Sequence, residues 1–427
     1  MADPTFRSRL RRLRREEPGA ARADGPAAGG ASEDERGGER GEGEPEALEV
    51  ADAAGGPAAA RTTRLAHAHR HGGWRLDEVL AARRADFVLT SGDEALGALD
   101  PRRAVYLDTE TTGLSGGAGT YVFLIGLGSF SDDGFEVWQG FLREPGEERA
   151  LLAACCQRIA GSSGVVSFFG KSFDRHRLED KMRVCGLRPP FDGVPHLDLY
   201  HPLRRLYGPA YADGRLRTLE SELCEVSRAG DVPGSFAPEA WFDYLAGRAH
   251  RLEGVFRHNL DDVLSLVTLA AHLGCSTQER RADGSSLPGC ARARARGLAG
   301  SFLAARRRAE ALEWIERALE REEGGARDLA VLRADVLRLE KRAAEALEAY
   351  RAVTAGPEDA HTVPALLQVA KILEHDARDF AGALECCRAA RAVLDRRHVG
   401  AERARLAADL DGRARRLAGK VESDSEG

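Results

Sequence analysis

Two folded units of different class are predicted: an α/β domain over residues 75–275, with a mixed five-stranded sheet flanked by helices, and an all-α domain of helical hairpins over residues 295–415. Three observations carry this. Three strand-like runs in succession are followed by alternating helix-like and strand-like segments, the pattern of a sheet with antiparallel and parallel members. Residues 295–415 are helical in pattern and nearly free of Gly and Pro within their segments. Residues 1–60 are dominated by Gly, Ala, Pro, Glu and Arg with almost no large apolar side chains, too few to offset the entropy of ordering, so a disordered tail is expected there. Residues 276–294 read as a linker and 416–427 as a second disordered tail.

In the first unit, residues 104–108 form an apolar run that reads as a strand, the Gly-rich 114–119 as a loop and 121–130 as a second strand. Ser131-Asp132-Asp133-Gly134 is a hairpin turn signal, and 135–142 supplies the third strand. A helix over 147–160 precedes a short, mostly apolar strand at 165–169, of the kind buried on both faces in parallel sheets. A helix over 173–185, a short strand near 196–199 and further helices follow. The last of these carries Val263, Leu266, Val267 and Ala270 as an apolar stripe.

Composition narrows the function classes. A chain of 427 residues holds roughly two or three domains. The hydrophobic share of 43% is enough for a core. The formal net charge of -6 exerts no global pull on nucleic acid, so any such binding must come from a local basic surface. Phe6, Leu10 and Leu13 fall at helical spacing among Arg7, Arg9, Arg11, Arg12, Arg14 and Arg15, either a solvated tail or a short basic helix for nucleic acid or a partner. The eight Cys contain no Cys-x-x-Cys and read as small core residues of a reducing compartment. With no run of about 18 apolar residues and no apolar signal core, a cytoplasmic protein without membrane partners is expected.

The chemistry-bearing residues lie at predicted element ends. Side chains alternate faces along a strand, so Asp108 and Glu110 share one, and two carboxylates that close repel unless a cation sits between them. Asp174 opens a helix just beyond the fourth strand. His258 and Asp262 stand at i and i+4 on the last helix and share its face.

Asp108 and Glu110, then Asp174, then Asp262 match the three-motif, four-carboxylate pattern of the DEDD exonuclease superfamily, and the strand and helix order resembles the ribonuclease H-like arrangement. Further stretches resemble the YprB family of ribonuclease H-like proteins. They are Leu107-Asp108-Thr109-Glu110-Thr111-Thr112-Gly113-Leu114 running into Gly116-Gly117-Ala118-Gly119-Thr120-Tyr121, then Gly170-Lys171-Ser172-Phe173-Asp174 and His196-Leu197-Asp198-Leu199. Leu216-Arg217-Thr218-Leu219-Glu220, Gly230-Asp231-Val232-Pro233-Gly234 and His258-Asn259-Leu260-Asp261-Asp262 complete the set. The chain departs from the exonuclease pattern twice. Phe169 stands where Asn commonly precedes the Gly of the second motif, and His258 stands where many relatives carry Tyr.

The resemblance implies a metal-dependent 3′ to 5′ exonuclease acting on single-stranded DNA or RNA. Asp108, Glu110, Asp174 and Asp262 are hard oxygen ligands suited to Mg²⁺ or Mn²⁺, two ions about 4 Å apart, with Asp108 bridging. His258, an imidazole that ordinarily titrates near neutrality, is the expected general base. Lys171 and Arg175 are expected to hold phosphates, and Thr109, Thr111, Phe169 and Asn259 to contact substrate. Two readings stay open for Phe168 and Phe169, core filling or stacking on a terminal base. Two also stay open for Asp198, orienting the site or capping a helix. His176, Glu179 and Asp261 read as solvated helix residues. The alternative reading of the whole is a ribonuclease H-like module without turnover, serving as a binding scaffold.

In the second unit Ala311-Leu312-Glu313, Ala346-Leu347-Glu348 and Ala383-Leu384-Glu385 recur at about 35 and 37 residues, close to the tetratricopeptide period. A tetratricopeptide-like array, with a concave surface for a protein partner, is the expectation.

Overall fold

The sheet begins inside the segment expected to be a disordered tail. The computed structural model describes residues 48–53, 56–113, 120–228, 234–248, 251–322, 326–397 and 401–425. The Arg-rich stretch around Phe6, the Gly-rich loop 114–119 and most of the 230–234 motif lie outside them. Strands β1 (Glu49–Ala53) and β2 (Gly56–Leu65) pair antiparallel, so the expected tail is too long at its C-terminal end. The signal was missed because the buried positions of β2 are Ala58, Ala59, Ala60 and Arg61, three side chains too small to register as a hydrophobic run and one charged. Their burial comes from pairing: Ala59 lies opposite Phe141 and Ala60 opposite Gly140.

Two-residue strands β3 (Arg70–His71) and β4 (Trp74–Arg75) make a small hairpin, and helix α1 (Arg84–Ser91) follows. The main sheet is completed by β5 (Val105–Thr111), β6 (Val122–Phe130), β7 (Phe135–Phe141), β8 (Val165–Ser167) and β9 (His196–Asp198). Its order is β1-β2-β7-β6-β5-β8-β9: seven strands rather than the expected five, with β8 and β9 running parallel to β5 and the rest antiparallel. The mixed sheet of the ribonuclease H-like arrangement is therefore present, extended at one edge by β1 and β2.

Helices α2 (Glu148–Ile159), α3 (Asp174–Val184), α4 (Tyr200–Tyr207), α5 (Leu216–Cys224), α6 (Ala237–Leu245) and α7 (Leu252–Leu273) complete this unit, which ends at Cys290. Alternation along β7 shows that α2 and α7 cover opposite faces. Gln139 bonds to α7, whereas a Cβ on the adjacent Gly140 would point at Leu151 of α2. On the α7 face, Arg61, Gln139, Gly126 and Asp108 are register neighbours across β2, β7, β6 and β5. Arg61 pairs with Glu253 at 2.8 Å and lies over the Phe256 ring, so each end of this row grips α7. Glycine in the middle of the row is a packing requirement. A Cβ on Gly126 would stand 2.4 Å from Asn259 Oδ1 and 2.8 Å from Val263 Cγ2.

The second unit, from Ala291 onward, is all helix: α8 (Ala291–Ala304), α9 (Arg308–Glu320), α10 (Arg327–Leu339), α11 (Ala343–Thr354), α12 (Thr362–Ile372), α13 (Phe380–Arg397) and α14 (Ala401–Ser425). Each packs on the next in sequence. The repeat is visible at atomic level. Ala311, Ala346 and Ala383 are each the fourth residue of their helix and fully buried. Two residues before each of these helices stands a left-handed residue, Arg306, Lys341 and Arg378. The expected tail over 416–427 is helical as far as Ser425. Arg416 and Lys420 of α14 reach buried Glu374, an ion-pair anchor that a composition-based reading overlooks. Among the described residues no helix is long and apolar enough to cross a membrane.

Close approach of α7 to the sheet is directly testable. Gly126→Ala is expected to cost about 2 kcal/mol by overpacking. Gly97→Ala, whose nearest neighbour would be 3.9 Å away, is the control that leaves the denaturation midpoint in place. Equal midpoints for the two variants would refute the close approach.

Candidate active site

Asp108 is placed by the sheet row and held by the helix above it. Asn259 donates through Nδ2 to Asp108 Oδ2 at 2.8 Å, and Gln139 Nε2 donates to Asn259 Oδ1 at 3.0 Å and to the Phe256 carbonyl at 2.7 Å. Gln139 therefore fixes which end of the Asn259 amide faces the carboxylate. Asn259 is wholly buried and cannot touch substrate as expected from sequence; it positions Asp108. Two glycines at alternate positions of one strand, Gly126 and Gly128, were the available signal that a helix would approach this face.

Glu110 shares that face two residues on, and α7 supplies its neighbours one turn apart. His258 Nε2 stands 4.0 Å from Glu110 Oε1 and 3.6 Å from Asp262 Oδ2. The imidazole thus reaches between two of the acids. The other oxygen of Asp262 is taken by a residue that the sequence reading missed. Arg228 Nη2 lies 2.6 Å from Asp262 Oδ1 and 2.6 Å from Glu220 Oε2. Ser265 donates to the same Glu220 oxygen at 2.5 Å, and His71 Nε2 lies 2.8 Å from Ser265 Oγ. Burial foremost, with Arg228 and His69 adding to it, pushes the His71 imidazole down to about 4, so it is neutral at pH 7. Burial raises Glu220, partly offset by Arg228 and Ser265.

Asp174 reaches the cluster from elsewhere. Thr109 points to the face opposite Asp108 and Glu110, and its hydroxyl donates to Asp174 Oδ1 at 2.5 Å. A Cβ on Gly170 would stand 2.4 Å from Ser167 Oγ and 3.0 Å from the other Asp174 oxygen, so glycine keeps this corner open for both side chains. Thr109 is thereby a positioning residue. Thr111 likewise donates to the Gly113 carbonyl and shapes the turn after β5.

The loop between β8 and α3 is held by Asp198. It accepts from the Phe169 and Lys171 amides at 2.8 and 3.1 Å, and from the Tyr200 amide at the start of α4. Phe169 has φ of 60°, in the left-handed region that favours Gly and Asn. Its ring is 44% exposed, so it does not fill the core, and packs edge-on against Tyr200 at 5.0 Å. Lys171 pairs with Asp93 at 3.2 Å, and Arg175 pairs with Glu179 at 2.6 Å. Glu179 is buried between Arg175 and Arg183, a correction to its reading as a solvated helix residue.

The acids sense one another. Burial, then Asp262, Glu110 and Asp174, holds Asp108 well above the ordinary carboxylate range, with the Asn259 amide offsetting a part. Burial is also the main cause that pushes Asp174 up to about 6, with Asp198 and Asp262 adding to it against the Thr109 hydroxyl. This donor set has the chemistry of a hard divalent-cation site. Its orientation does not form a coordination shell: among the described residues no three His, Cys, Asp or Glu side chains are arranged to hold a metal ion. The reasons are local, since Asp262 is turned to Arg228, Asp174 to Thr109 and Asp108 to Asn259.

The raised carboxyls give a pH signature. An acid whose pKa rises on folding binds its proton more tightly folded than unfolded, so stability is greatest below about 4 and declines as pH rises towards 6. For Asp174, raised from 3.8 to about 6, the cost at pH 7 is roughly 3 kcal/mol. In EDTA, Asp174→Asn should therefore melt above the parent chain at pH 7 and level with it at pH 4. A melting difference independent of pH would contradict a raised Asp174.

Comparison with known proteins places this geometry. The model of the ribonuclease H superfamily matches residues 105–274, from the first residue of β5 to the end of α7. The chain is 31% identical over 286 residues to the uncharacterized protein YprB of Bacillus subtilis (strain 168), covering 66% of this chain and 67% of that one.

Proposed function

Because the chain carries a ribonuclease H superfamily domain and belongs to the YprB family, we propose that it is a metal-dependent nuclease removing nucleotides from the 3′ ends of single-stranded DNA or RNA. One observation carries the reading. Asp108, raised, senses Asp262, Glu110 and Asp174, and Asp174, also raised, senses Asp262, in a site that also holds His258, 4.0 Å from Glu110. A cluster that repels itself is costly to keep unless its charge is used.

What Mg²⁺ or Mn²⁺ supplies, when held by Asp108, Glu110, Asp174 and Asp262, is positive charge against the carboxylate repulsion and against the phosphate oxygens. His258 Nε2 takes the proton of the attacking water, and Glu110 and Asp262, 4.0 and 3.6 Å away, stabilise the imidazolium that forms. Asn259 and Gln139 hold the plane of the Asp108 carboxylate, and Thr109 that of Asp174. The exposed Phe169 ring stacks on an unpaired base, and Lys171 exchanges its surface pairing with Asp93 for a substrate phosphate, a swap that costs little. The helical unit is the surface for a protein partner, since stacked hairpins present an extended face.

One observation favours a second reading, a nucleic-acid-binding module without turnover: Asp262 is paired with Arg228, and among the described residues no shell of three acids is formed. End-labelled single-stranded DNA and RNA separate the two. The nuclease shortens them from the 3′ end in Mg²⁺ or Mn²⁺ and not in EDTA, and Asp108→Ala or Asp262→Asn slows this by about 100-fold or more. Intact substrate in every condition, or undiminished rates in both variants, rejects the nuclease.

Phe169→Asn tests the stacking role by moving two quantities in opposite directions. Asn accepts the left-handed backbone, so stability should rise by about 1 kcal/mol. Affinity for single strands should fall by roughly 5- to 100-fold. Unchanged single-strand affinity in this variant removes Phe169 from the substrate surface.

A further inference from the structure

Arg228 is the cation already inside the acid cluster. Its side chain and that of Glu220 are 5% and 1% exposed, and one guanidinium nitrogen bridges Glu220 and Asp262 at 2.6 Å to each. The Glu220 end is anchored, because Ser265 and, through it, His71 hold the same carboxylate. The Asp262 end is not buttressed in this way. Its second oxygen faces His258, so both oxygens of the fourth acid are already engaged. A divalent ion reaching Asp262 would share one carboxylate with a guanidinium across a few ångströms of poorly solvated space, where like charges repel strongly. Room to yield exists on one side. Arg228 borders a cavity of about 480 Å³ that is also lined by Glu225 and Asp261.

We propose that Arg228 is the resident counter-ion of Asp262 and competes with divalent cations for that carboxylate, so that cation loading requires the Arg228–Asp262 pair to open. The proposal builds on the metal-dependent reading above, and adds a residue outside the acid motifs that sets how readily the cluster accepts a cation. Arg228 is a positioning residue here: it acts through Asp262.

The test is a titration of the full chain with Mn²⁺ alone, followed by the paramagnetic resonance of free Mn²⁺, which needs no turnover. Arg228→Gln should bind Mn²⁺ about tenfold more tightly or better, the effect of removing one like charge from the site. Arg228→Lys, which keeps the charge, should stay near the parent value. The gain should vanish in Arg228→Gln/Asp262→Asn. It should survive in Arg228→Gln/Glu220→Gln, which removes the orphaned buried acid and serves as the folding-tolerant variant. Equal or weaker Mn²⁺ binding by Arg228→Gln, a gain that survives loss of Asp262, or a gain lost with Glu220 overturns the competition. If the parent chain binds Mn²⁺ and Arg228→Gln binds it no better, the competition alone has failed. If no variant binds Mn²⁺, the metal-dependent reading fails with it.

Discussion

The contact between Asn259 and Asp108 organises the α/β unit around its site. It joins residues 151 positions apart, and it forms only because Gly126 leaves space for the Asn259 amide and Gln139 orients it. The same helix that presents Asn259 to the sheet turns His258 and Asp262 toward Glu110 one helical turn away. Core packing and site geometry are thus a single problem. Val263, fully buried beside Gly126 and Gly128, and Arg61, which grips Glu253 at the far end of the row, set the height and direction of the helix that carries the chemistry.

Charge is distributed in this site with unequal compensation. Asp108 has a neutral amide, Asp174 a neutral hydroxyl, and Asp262 a full guanidinium. Burial is the main reason the first two acids hold their protons so tightly, and the neutral donors offset only a part of it. The guanidinium pairs with the third, and Asp262 and Glu220 together outweigh the desolvation of Arg228 and hold it more firmly charged than usual. Under the proposed competition, an external cation at this cluster would have to displace the internal one. Beside it, the β8–α3 loop combines two costs, a left-handed Phe169 and an exposed ring, and Asp198 meets them with two backbone hydrogen bonds.

The helical unit solves a different problem with repetition. Each hairpin turn places one residue in the left-handed region and one buried Ala on the fourth position of the next helix, where a larger side chain would hold the helices apart. The second interval is longer, and the helix before its turn ends in a π-helical stretch, Leu373–Ala377, that absorbs the added length.

Local order was legible in the sequence because it depends on spacing. Alternation in a strand put Asp108 and Glu110 on one face, the helical repeat put His258 and Asp262 together, and the recurring Ala-Leu-Glu phrases marked equivalent helices. The five strands from β5 to β9 were visible from the same kind of local pattern. Tertiary structure alone decided what joins across long separations. Strand β2 becomes a strand because Ala58, Ala59 and Ala60 find β7, Asn259 becomes a support because a glycine admits it, and Arg228 becomes part of the site because Glu220 and Asp262 meet around it. None of these has a periodic signature. Each depends on the partner that packing delivers, and that is settled by the register of the sheet and the seating of one helix on it.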